Sequence, residues 1–135
     1  MTAPAGTAET PWLLKTPPLS SEYEAWRDTV GGREVLVVRV GSTTLHYDGR
    51  CLDDLRAMLV ERGDWVELGS VDEQKEARPG TVEAWARSAD NPVGGWYGLK
   101  KGLRGRFGMY VPPVMELLGW AEVEHNPRNN RMRAL

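Results

Sequence analysis

The chain reads as an α+β protein: an N-terminal helix, a β-β-α-β unit, a helical segment and a C-terminal β-hairpin. Three observations point there. Residues 34–40 (EVLVVRV) are a β-branched apolar run followed by the turn pair Gly41-Ser42, the pattern of a strand entering a hairpin. Leu52, Leu55, Met58 and Leu59 recur at helical spacing, with Asp53, Asp54, Arg56 and Glu61 left for water. Near the C-terminus a short alternating stretch, a run of turn formers and a second short stretch follow Gly119.

Taken in order, residues 1–18 are rich in Ala, Thr and Pro and have no period, so they read as a flexible arm. Within it, Trp12, Leu13 and Leu14 are apolar enough to dock on the body or a partner. Ser21 with Glu24 three residues on is the spacing of a capping box, and Tyr23 and Trp26 then share a face, which predicts a helix ended by Gly31-Gly32. Residues 34–40 and 43–47 predict a hairpin, 52–62 a helix stopped by Gly63, and 65–68 a third strand. The polar stretch 69–80, closing on Pro79-Gly80, is the best internal boundary. It divides a ββαβ unit, 19–70, from a second part, 79–135, with one compact domain over 19–135 as the alternative. Thr81 is placed to cap a helix over 82–88 that buries Val82, Trp85 and Ala86.

Hydrophobic residues at 41% and charged residues at 27% describe a folded soluble chain, neither disordered nor membrane-embedded. No apolar run approaches the roughly 20 residues that cross a bilayer, and residues 1–11 lack the basic start and apolar core of a secretory signal. With one cysteine, Cys51, there is no disulfide framework, and a cytoplasmic, reducing location is expected. The net charge of −2 hides an asymmetry. Residues 93–135 carry seven basic against three acidic side chains, a balance of +4, whereas the other ten basic and sixteen acidic residues give −6. Such a division suits a basic binding face beside an acidic body, or ordinary scatter of surface charge.

Most of the unusual chemistry falls in residues 91–135. Placed on a helix, residues 96–107 put Trp96, Leu99, Leu103 and Phe107 on one stripe, Gly98, Gly102 and Gly105 opposite, and Lys100, Lys101 and Arg104 between. Three glycines on one helical face each cost about 1 kcal/mol relative to alanine, so either another backbone or phosphates approach closely there, or the segment is partly loop. GLRGRFG matches neither GxGxxG nor a Walker motif. Pro112-Pro113 suit a first helical turn, Val114, Leu117 and Leu118 continue it, and Gly119 ends it. Residues 120–124 and 131–135 predict paired strands around the turn 126–130.

A helix ending in LLGW, a strand, a polar basic turn and an Arg-bearing strand resemble the close of winged-helix DNA-binding domains, over about residues 111–135. The resemblance implies that Arg128, Asn129, Asn130 and Arg131 form a wing tip and that Met109, Tyr110 and Val114 begin a recognition helix. That start is apolar and proline-bound here, so backbone and shape contacts are expected rather than base reading. The expected function is nucleic-acid binding without catalysis. Lys100, Lys101, Arg104 and Arg106 would meet phosphates, Arg128, Arg131 and Arg133 would line the wing, and Trp96, Tyr97 and Tyr110 would stack bases. No cofactor and no metal are expected.

Two alternatives stay open. The Gly98, Gly102 and Gly105 face and the Trp12 arm would serve a small interaction or accessory domain, as a homodimer or with a protein partner. Less favoured is an enzyme or small-ligand binder using His46 or His125. A Cys51–His46 nucleophilic pair has nothing to orient it, no metal-ligand spacing is visible around either histidine, and His125 reads as a surface residue flanking a turn.

Overall fold

The computed structural model describes residues 5–135. Seven strands form two antiparallel sheets, with short helices packed against them: a mixed α+β architecture. β1 (Trp12–Lys15), β2 (Glu22–Val30), β3 (Arg33–Val40) and β4 (Thr43–Asp48) make a four-stranded meander in sequence order. Helix α1 (Cys51–Arg62) follows, closed by the left-handed Gly63, whose N–H reaches the Leu59 carbonyl. Next come β5 (Val66–Glu67), α2 (Val82–Trp85), α3 (Phe107–Tyr110), α4 (Pro112–Leu117), β6 (Ala121–Val123) and β7 (Arg131–Ala134). The second sheet has the order β5-β7-β6. One hydrophobic cluster joins the two sheets, from Trp12, Leu36 and Tyr47 through Leu55 and Leu59 to Phe107, Val114 and Met132.

Three expectations are corrected. Residues 20–30 are not a helix: β2 lies between β1 and β3 with Tyr23 and Ala25 in the core, while Glu24 and Trp26 face the other side. Pairing with the valine-rich β3 outweighs the local capping signal. The 1–18 arm is held on the body from Gly6, whose carbonyl accepts from the Arg27 N–H. Within it β1 pairs with β2, and Trp12 and Leu14 are buried; residues 1–4 of that arm lie outside the described residues. Residues 96–106 are not a helix but a loop that runs along β4, with the Asp48 N–H bonded to the Tyr97 carbonyl and the Leu99 N–H to that of His46. Its glycines serve close approach: a Cβ at Gly98 would collide with the Arg104 backbone, and one at Gly105 with the Asp72–Glu73 backbone. Both are therefore used up within the chain, which leaves no glycine face for a partner.

Candidate functional site

The 69–80 segment, read from sequence as a boundary, is fastened to the body. Arg87, largely but not wholly buried, donates to the carbonyls of Lys75, Val71 and Asp72 and to the Glu83 carboxylate, the last at 2.8 Å. Glu83 is 1% exposed and also accepts from the Gly108 N–H at 2.9 Å. Burial pushes its carboxyl above the usual range, and the bonds from Gly108 and Arg87 offset only part of that. Thr81 caps α2 by accepting from the Ala84 N–H.

This fastening sets the fate of the predicted phosphate contacts. Glu73 accepts from the N–H of Gly102, the N–H of Arg104 and, at 2.7 Å, Nε of Arg104. The Arg104 side-chain bond, helped by the two backbone N–H groups, holds the Glu73 carboxyl below its usual range. Arg106 pairs with Asp72 at 2.6 Å. The glycine-rich basic loop does cradle an anion, but the anion is the protein's own carboxylate. On the hairpin, Arg131 pairs with Glu124 at 2.8 Å and Arg133 with Glu122 at 2.8 Å, and both guanidiniums lie over the Trp65 ring. Of the seven cations in the last third, Lys100, Lys101 and Arg128 have no ion-pair partner among the described residues.

The stacking candidates are engaged too. Tyr97 is buried, stacks on Trp85 at 5.1 Å and donates to Asp54. Tyr110 is buried edge-on to Tyr23, whose hydroxyl donates to the Tyr110 carbonyl. Trp96 already carries the Arg87 and Arg104 guanidiniums at 4.4 and 4.3 Å. Helix α4 offers no reading face at its start, because Pro112, Pro113, Val114 and Met115 are all buried.

One place gathers three of the four residues expected at the wing tip, Arg128, Asn129 and Asn130, but not Arg131. A groove of about 340 Å³ is lined by the 127–130 turn, the start of α3 at Gly108 and Met109, the 67–70 stretch with Arg78, and Pro17 and Pro18. Arg128 and Asn129 reach it exposed, Asn129 in the left-handed conformation at φ 60°. Asn130 lines it as a structural brace, its side chain accepting from the Asn126 N–H and donating to the Asn126 carbonyl. Arg78 contacts Glu67 at the rim. Ser70 also lines the groove, but its hydroxyl is turned away from solvent and has no hydrogen-bond partner among the described residues. Lys100 and Lys101 do not line it.

Neither histidine alternative forms a nucleophilic or metal site. His46 faces the outer side of the meander and Cys51 is wholly buried in the core, so they do not pair. Among the described residues no group of three or more His, Cys, Asp or Glu side chains is placed to hold a metal ion. His125 instead bridges two segments: Nδ1 meets the Pro17 carbonyl at 2.9 Å and Nε2 meets Glu116 at 2.7 Å. Arg78, Ser70, Asp72, Glu73, Glu83 and Arg87 were not singled out from the sequence. The one signal for them was the acidic run at 72–76, opposite in sign to the basic loop it meets. No helix of the described residues is long and apolar enough to cross a membrane.

A family described as a family of unknown function, DUF6855, matches residues 4–135. No curated protein matches the chain, and no solved structure does.

Proposed function

We propose that this chain, which belongs to the family of unknown function DUF6855, is a non-enzymatic nucleic-acid-binding domain of winged-helix type that grips the phosphate backbone through the wing-tip groove. The observation that carries the reading is the convergence, in one groove, of Arg128 and Asn129 with the start of α3 and Arg78. The hairpin β6–β7 behind α4 and its Gly119 stop supports the winged-helix comparison. The buried start of α4 favours backbone contacts over base reading.

The ion pairs set the strength. Arg104, Arg106, Arg131 and Arg133 are already neutralised, which leaves about two groove cations, one of them shared with Glu67. Two phosphate contacts on duplex imply a slope of log K against log salt near −2 and affinity in the non-specific range of about 10⁻⁴–10⁻⁶ M. Fluorescence polarisation with random duplex and single strands tests this. Arg128→Ala is expected to reduce the slope by about 1, while Arg133→Ala leaves it nearly unchanged. Failure of both strand types to bind at about 20 mM salt and about 10⁻⁴ M protein would end the proposal.

A second reading, a protein-interaction surface, is favoured by the exposed leucines Leu13 on edge strand β1 (79%) and Leu117 on α4 (51%), two elements that pack together. Light scattering across a concentration series separates the two readings. Self-association abolished by Leu13→Lys favours an interaction surface.

A further inference from the structure

We infer that His125 is a proton-operated latch that holds together two of the segments lining the groove, closed when its ring carries both protons and slack when it carries one. This rests on the groove being the nucleic-acid site.

The chemistry is decided by what each ring nitrogen faces. Nδ1 faces the carbonyl oxygen of Pro17 and Nε2 faces a carboxylate oxygen of Glu116, and both partners only accept. A neutral imidazole has a single N–H and can satisfy one of them. The imidazolium has two and satisfies both, with its charge balanced by Glu116. The charged groups around it are few. On α4 the facing group is Glu116; the β1–β2 link presents the Pro17 carbonyl; on its own hairpin the neighbouring Glu124 is committed to Arg131 through both carboxylate oxygens. Partial burial works against the charged ring, but the bonds to Glu116 and Pro17 and the Glu116 charge outweigh it and raise His125 above its usual range.

Position turns this bond pair into a regulator. Pro17 and Pro18 line the groove from the β1–β2 link, and His125 stands two residues before Pro127, where the hairpin turn that also lines it begins. The latch also ties the β1–β2 link of the first sheet to α4 and to the β6–β7 hairpin of the second. A raised histidine contributes stability that is fully present below its unfolded value of about 6.5 and is lost as pH rises through the folded value. The closed groove is pre-organised for its ligand, so binding weakens over the same interval.

The test has a ligand-free arm and a ligand arm. In the free protein, the His125 ring resonances are followed by NMR across pH 5–9, and melting temperature is compared between wild type, H125Q and E116Q. His125 is expected to titrate above about 6.5, and both variants are expected to lose the fall in melting temperature that wild type shows over that interval. Titration at or below that value, or a wild-type pH profile that H125Q reproduces, overturns the latch whatever the ligand results. In the second arm, the pH dependence of wild-type binding to random duplex is expected to vanish in H125Q. Binding that is equally pH-dependent in H125Q overturns the gating. Absence of binding at every pH beside an intact His125 titration overturns the nucleic-acid reading and its gating, while supporting the latch itself.

Discussion

Arg87→Ala is the most demanding perturbation, because Arg87 joins the fold to the groove. Its guanidinium, 12% exposed, faces the Glu83 carboxylate, 1% exposed, and fastens the 71–75 backbone, the stretch that leads from Ser70 toward Arg78. Truncation strands a buried carboxylate. Removing one partner of a buried ion pair costs about 3–5 kcal/mol, and water entering beside a partly exposed site favours the lower end, about 3 kcal/mol. For a domain of this size each kcal/mol lowers the melting temperature by about 3–4 °C, so a fall of about 10 °C is expected. The sign of the pH effect follows from Glu83. Its carboxyl is already raised by burial, and loss of Arg87 raises it further. A raised carboxyl favours folding below its unfolded value of about 4.3, and that contribution is lost as pH rises through the folded value. The deficit of the variant is therefore largest near neutral pH and shrinks on acidification. Adding Glu83→Gln to Arg87→Ala removes the stranded charge and recovers part of the loss at pH 7. Calorimetric melting at pH 5 and pH 8 measures all of this. A deficit below about 1 kcal/mol, or one equal at both pH values, refutes the assignment of Arg87 as the counter-charge of a buried anion. Faster amide exchange over 71–75 in the variant is the accompanying local sign.

Two further perturbations address the core and the groove floor. Cys51 is wholly buried, and burial, with Asp48, Asp54 and Asp53 nearby, pushes its thiol far up. A thiol reagent at pH 8 is therefore expected to label it only as fast as the protein opens, and prompt stoichiometric labelling of the native protein contradicts the burial. At Gly108 a Cβ would lie 2.6 Å from the Leu68 carbonyl oxygen, a backbone atom that cannot step aside. Gly108→Ala is expected to destabilise by about 1–3 kcal/mol despite the better helix propensity of alanine, and an unchanged or raised melting temperature argues against the close approach.

The parts of the fold legible in the sequence are those whose evidence is local. The 34–47 hairpin, helix α1 with its Gly63 stop, the Thr81 cap and the C-terminal hairpin each announce themselves within a short local stretch, and the structure has all of them. The error at β2 has a specific cause. A half-buried strand shows alternation, but β2 puts Tyr23 and Ala25 into the main core while Trp26 joins Val35 and Val37 in a small cluster on the opposite face. With apolar residues on both faces the period of two disappears. What remains, Tyr23 and Trp26 three apart behind Ser21 and Glu24, imitates a capped helix. The 96–107 stretch misled differently. Its glycines fall three to four apart because the Asp72–Glu73 backbone and the chain's own Arg104 press against two of them, a long-range demand that helical spacing cannot reveal.

Charge shows the same divide. Seven cations in the last third were countable from the sequence, but their partners were not equally so. The hairpin pairs were within reach: once residues 120–124 and 131–135 are laid antiparallel around a tight turn, Glu122 falls opposite Arg133 and Glu124 comes beside Arg131. The loop pairs were not, since Arg104 and Arg106 find Glu73 and Asp72 across a stretch that reads as a linker. A count of charges thus overstates a binding face whenever a distant acidic segment folds back onto it. Of the three cations that escape this cancellation, Lys100 and Lys101 lie off the groove, whereas Arg128 sits in a turn with no acidic residue and lines it. Its substitution, rather than that of any paired arginine, therefore decides between a phosphate-gripping groove and a surface of internally balanced charge.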